Sequence, residues 1–168
     1  VEAEGAMQIN ERWDVHANLT WAKSEYDSFF FNFVAPIAGF SQMKGNSNAR
    51  FPDWMGYIGS TYKAPFRGEW SWFLGGDVNY AGKTMVDESN LAFCKGFYTA
   101  NAQVGLEKSG IRLEAFVKNL LDDNNWTACN RWTDFDRAPS LGQVAVFQGA
   151  VVTPQIPRQL GLRAIIRF

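Results

Sequence analysis

The side chains of this sequence whose types could do chemistry are few: one histidine, two cysteines, and a run of acids and amides at Asp122, Asp123, Asn124 and Asn125. His16 has no serine, cysteine or carboxylate at a spacing that would make it a general base or a metal ligand. The acid and amide run offers oxygens of the kind Ca²⁺ takes, but no coordinating loop follows it, so it reads as a solvated turn. Cys94 and Cys129 are too few for a disulfide scaffold and lack the spacing of a zinc site, which leaves room for one bridge. The sequence therefore predicts no catalytic residue, no metal and no cofactor. With 20% charged residues and a net charge of −1, it also presents no basic surface for a nucleic acid.

The elements that would position such residues are strands. The chain of 168 residues has the length of one domain, and its 14 Phe, 7 Trp, 5 Tyr and 15 Gly favour short strands and tight turns over helices. No apolar run is long enough for a membrane helix, and Val1 to Met7 lacks the zones of a signal peptide, so any export signal is expected upstream. Trp13, Val15, Ala17, Leu19 and Trp21 alternate with Asp14, His16, Asn18 and Thr20, which is the period of a strand with one apolar and one polar face. Trp70 to Tyr80 repeats the pattern with Phe73 as its misfit. Tyr98 to Glu107, Ile111 to Lys118, Val1 to Ile9, Trp54 to Ala64 and Leu160 to Phe168 bring the count to seven strands, none with a charge on its apolar face.

The links between these strands alternate in length. Asn10 to Arg12, Pro65 to Gly68 and Ser109 to Gly110 are short, whereas Asp27 to Asp53, Thr84 to Gly96 and Leu120 to Pro157 are long. In an antiparallel meander all short turns then lie at one end of the sheet and all long loops at the other. Bacterial outer-membrane barrels have this asymmetry, with periplasmic turns and extracellular loops. Trp13, Trp70, Trp72 and Phe168 fall near the turn end and Trp21, Tyr26, Trp54, Tyr80 and Tyr98 near the loop end, as two interfacial girdles would. Counting back from Phe168 at the periplasmic side places Val1 at the extracellular side, mid-barrel, and leaves two open sheet edges.

Val117 to Asp122, read as VKNLLD, resembles the penultimate-strand motif of TonB-dependent receptors. Pro157, Arg158, Gln159, Leu160 and Gly161, running on to Arg167 and Phe168, resemble that family's final strand. Leu160, Leu162, Ala164, Ile166 and Phe168 also resemble the signal by which the barrel-assembly machinery takes outer-membrane proteins. Val1 to Tyr26, with a strand ending in Ser24, Glu25 and Tyr26, and Asn48 to Tyr62, with Pro52 and Trp54, are similar to the family in pattern.

The resemblance implies an all-β fold: an antiparallel transmembrane β-barrel segment of about seven up-and-down strands out of 22, spanning residues 1–168 as the C-terminal portion of the barrel, with the plug domain outside this chain. It implies a receptor in the bacterial outer membrane that takes up a scarce nutrient of the siderophore, cobalamin or glycan class. Its partners would be outer-membrane lipid, the barrel-assembly machinery, a small nutrient ligand, and TonB through the plug. The topology sets Cys94 and Cys129 in neighbouring extracellular loops, where a disulfide is expected. It also sets Phe29, Phe30, Phe31, Phe33 and Phe40 outside the membrane, as candidate contacts for a hydrophobic or aromatic ligand. Gln143 to Val151 carries enough β-character for a further hairpin above the membrane. The alternative reading is a small independent outer-membrane barrel of about eight strands with an adhesive or structural role, and a soluble lipocalin-like barrel is the third.

Overall fold

In the computed structural model, which describes residues 1–132 and 149–168, seven long strands form one antiparallel sheet. They are β1 (Glu2–Asn10), β2 (Trp13–Trp21), β3 (Trp54–Arg67), β4 (Trp70–Ala81), β7 (Phe97–Lys108), β8 (Ile111–Lys118) and β11 (Gln159–Ile166). Each pairs with its neighbour in that order, so β1 and β11 are the two edges. Two-residue strands β5 (Thr84–Met85) and β6 (Phe93–Cys94) pair with each other, as do β9 (Trp126–Trp132) and β10 (Gly149–Pro154). Among the described residues no helix is long and apolar enough to cross a membrane, which says nothing about crossing by strands.

Register shows why the alternation matters. Trp13, Tyr62, Leu74, Val104, Ala115 and Leu162 lie opposite one another across six strands, and Gly5, Ala17, Ile58, Val78 and Ala100 form a second row. These side chains share one face, and Leu19, Ile58, Leu74, Val104 and Leu162 on it are exposed. The Ser60 hydroxyl on this face is satisfied by accepting from Trp13 Nε1 at 2.7 Å and donating to the Asp14 carbonyl at 3.1 Å. Apart from Ala64, near the turn end of β3, the buried apolar residues among those described are elsewhere. Val34, Met43, Val86, Cys94 and Cys129 sit in the long loops, and Phe73 on the polar face. The sheet thus has no water-excluding interior; its hydrophobic face is built to meet something outside the chain.

The tight turns need little chain. Gly68 and Gly110 adopt φ of 59° and 74°, which lets two-residue turns join strands without Cβ strain. The structure corrects some expected boundaries. β3 does not stop at Ala64 but runs through Pro65 to Arg67, because the register shifts between Pro65 and Arg67 and the missing proline N–H falls at that irregularity. β2 ends at Trp21 rather than Tyr26, and beyond it only an isolated bridge joins Glu25 to Ser47. In the third long loop, β10 begins at Gly149 and pairs with β9; the expected hairpin over Gln143 to Val151 lies outside the described residues over 143–148.

Candidate functional site

The polar face is a wall of paired charges near the turn end. Lys63, Phe73, Gly105, Glu114 and Arg163 lie in one cross-strand row. Glu107 receives Lys63 and, at 3.0 Å, Arg112 Nη1. Glu114, whose side chain is 3% exposed, receives Arg112 Nε and Arg163 Nη1, each at 3.0 Å. Every charge in this group has an opposite partner, which is what burial of a carboxylate requires. Phe73, unexpected on a polar face, is 1% exposed: it fills the space left by the absent side chain of Gly105, and the Arg112 guanidinium covers it 3.8 Å from the ring centroid. The next row repeats the device, with the Phe116 ring over Gly161 and Arg163 above it at 5.1 Å. Sequence reading missed both; the signal was a glycine in register opposite each aromatic, visible only once the strands are paired.

Nearer the loop end the wall becomes uncharged or singly charged. His16, Gly59, Asp77 and Asn101 share a row. The His16 ring reaches across Gly59, its Nε2 2.9 Å from Tyr57 Oη, with Asp14 Oδ2 3.9 Å from Nδ1. Asp77 accepts from Asn79 Nδ2 at 2.9 Å and Asn101 Nδ2 at 2.7 Å. These are structural hydrogen bonds. No group of metal-ligating side chains converges among the described residues.

The described parts of the long loops are folded. In the first, Tyr26 to Phe31 runs beside Ser41 to Asn46, with Phe31 N donating to Ser41 O and Met43 N to Phe29 O, both at 2.8 Å. A 3-10 turn (Asn32–Val34) and a one-turn helix, α1 (Ala35–Ala38), make its tip, and fully buried Met43 and Val34 are its core. This hairpin lines up the candidate aromatics: Tyr26, Phe29 and Phe31 stack in sequence with centroids 5.1 and 5.9 Å apart, and Phe33 meets Phe31 at a tilt, 6.1 Å away. Phe30 and Phe40 are exposed but lie outside that ring series. Burial, with the Glu88 carboxylate adding to it, pushes the Tyr26 phenol above its usual range.

The second and third loops are tied to the first and to each other. Asn90 exchanges hydrogen bonds with the Ser47 backbone at 2.7 and 2.9 Å, and Asn46 Nδ2 donates to Glu88 O at 2.8 Å. Cys94 and Cys129 are joined as a disulfide with Cα atoms 6.1 Å apart, packed against Val86. Buried Asp87 meets Arg131, whose Nη2 also donates to Ser89 Oγ at 3.2 Å. The motif residue Asn119, with φ of 49°, ends β8 and fastens the third loop by donating to the carbonyls of Asp123 and Ile156 while accepting from Asp123 N. Asp122 and Asp123, weighed as cation ligands, are occupied by Arg158 and Asn125 respectively.

Leu160, Leu162, Ala164 and Ile166 alternate along β11 on the apolar face, Leu162 at 87% exposure, and Phe168 follows the strand.

The architecture so described, a two-faced antiparallel meander with every long connection on one side, is that of a segment of membrane barrel wall. Residues 1–120 match the family model described as TonB dependent receptor-like, beta-barrel. The chain belongs to that family. No curated protein sequence matches it. Among solved structures it is similar to the ferric yersiniabactin uptake receptor FyuA from Yersinia pestis, at 17% identity and a TM-score of 0.74 over 99% of this chain and 23% of that one. It is also similar to the siderophore receptor PiuA from Acinetobacter baumannii (16%, TM-score 0.66, 98% and 20%). A third is the ferric-catecholate import receptor Fiu from E. coli K12 in its open form (19%, TM-score 0.61, 99% and 20%). The chain therefore spans between a fifth and a quarter of these receptors' length. Family and neighbours are receptors, not enzymes.

Proposed function

We propose that this chain forms part of the barrel wall of an outer-membrane receptor for TonB-dependent uptake of a scarce nutrient, its apolar face toward lipid, its polar face toward the lumen and its long loops toward the outside of the cell. The observation that carries this reading is the seven-strand register, which leaves an unbroken apolar face exposed while gathering the turn-end charges of the other face into ion pairs. The β1 and β11 edges, each paired on one side only, support a larger barrel that also holds a plug, through which TonB would act. They weigh against a small closed barrel, which would need those edges joined. Outer-membrane lipid and the barrel-assembly machinery, reading β11 and Phe168, are the partners that fit this placement. The aromatic hairpin of the first loop suits a ligand with an apolar or aromatic surface, and the cargo is drawn from the siderophore, cobalamin or glycan classes. In the oxidising exterior the Cys94–Cys129 bridge would be closed.

Cell fractionation and an uptake assay test this reading. The protein should partition with the outer membrane, and cells that need it for a nutrient should lose uptake when TonB is deleted. Recovery of the protein as a soluble monomer without detergent would overturn it.

A further inference from the structure

The short β5–β6 pair is a separate two-stranded sheet beyond the β4–β7 ladder but keeps its register: Ala81 faces Phe97, Thr84 faces Cys94 and Met85 faces Phe93. Carried across the unpaired residues between them, that register sets Lys83 opposite Lys95. Alternation gives both the parity of Ala81 and Phe97, which is the parity of the polar face. Like charges directly opposite on antiparallel strands repel. Yet among the described residues neither ammonium has a carboxylate partner; Lys83 Nζ lies only over the Phe93 ring, 5.4 Å from its centroid. Asp87 is taken by Arg131, and in the third loop Asp122 by Arg158 and Asp123 by Asn125, while Glu88 forms no ion pair with either lysine. The wall lower down neutralises its cations, and this pair does not.

Beside the pair opens a cleft of 450 Å³ lined by Phe93, Lys95, Asn124, Asn125 and Trp126. It contains no carboxylate. Phe93 and Trp126 are both more than half exposed, which gives apolar surface to pack a flat ring.

We infer that the Lys83–Lys95 pair and this cleft form a binding site for a ring-bearing oxyanion, a planar ring carrying a carboxylate or a phosphate. The oxyanion lies between the two ammoniums and removes their repulsion, while the ring packs on Phe93 and Trp126. A bare anion gains the first interaction only, and a neutral ring only the second. The inference deepens the transport reading and rests on it for access from outside the cell.

Acylation of lysines in the full protein in detergent micelles, read peptide by peptide, tests it. Benzoate or phenyl phosphate should slow modification of Lys83 and Lys95 at least threefold at concentrations where acetate and benzamide do not, and the Phe93→Ala, Trp126→Ala double variant should lose that protection. Protection by benzoate alone assigns a carboxylate site, and by phenyl phosphate alone a phosphate site. Equal protection by acetate, protection that survives loss of both rings, or no protection by either probe would overturn the site. Uptake separates the two levels: if the unaltered protein shows no TonB-dependent uptake of any nutrient, the transport reading fails, whereas the labelling result stands or falls by itself.

Discussion

Phe116 and Gly161 show how one residue's size is fixed by another's. A Cβ at Gly161 would meet the Phe116 ring itself, with no other atom nearer. Gly161→Ala should therefore cost about 1–3 kcal/mol, the usual penalty for overpacking, while the same substitution in a Phe116→Ala background should cost far less. Urea unfolding of the four variants in detergent measures the coupling; additive effects would mean the ring can move aside. Tyr26 offers a titration. Its phenol is raised in the folded loop above an unfolded value of about 10, so its contribution is fully present below that pH and is lost as pH rises through the folded value. Ultraviolet difference titration against Tyr26→Phe should show one phenol ionising later than free tyrosine, and loop structure resisting alkali better in the variant.

At the scale of the element, what governs is which face a strand position occupies. Ile58, in the middle of the apolar face between Ala17 and Val78, should not accept a charge: Ile58→Lys is expected to cost about 2–4 kcal/mol in a bilayer. Thr61 lies three residues on, on the polar face, and Thr61→Lys should leave folding in lipid nearly unchanged. Equal loss from both would contradict the two-faced assignment. This alternation was legible in the sequence, because period two survives any error in strand ends. Strand count and loop side followed from it and from link length. The ends themselves were less legible: Pro65 reads as a stop, yet an irregular register tolerates it. The glycine and aromatic pairs were illegible, since Phe73 and Gly105 are neighbours only through pairing. So were Lys83 and Lys95, twelve residues apart and set opposite each other by a register that the long ladder and the short β5–β6 pair share.

Across the whole molecule the described parts of the three long loops are tied together. The disulfide, the Asp87–Arg131 pair and the Asn90–Ser47 exchange each cross between loops, so slackening one should slacken all. Cys94→Ser, Cys129→Ser is expected to lower local stability by about 2–4 kcal/mol. Hydrogen exchange should quicken at Val86 and also at Arg50, whose N–H donates to the Met85 carbonyl from a different loop. Exchange that quickens only between Thr84 and Trp132 would show that the first loop stands by itself. Such ties were only partly readable beforehand. Two cysteines in neighbouring loops suggest a bridge, but the amide exchange and the clamp at Asn119 depend on backbone geometry that side-chain types do not announce.

The wall of paired charges has one more consequence, for an ion beside it. From Lys63 to Arg163 three cations share two carboxylates, so pairing flattens the potential of that band without cancelling it, and one positive charge is left over. On the transport reading proposed above, an anion passing the band would be drawn to it weakly and a cation turned away weakly, since each charge already has a partner.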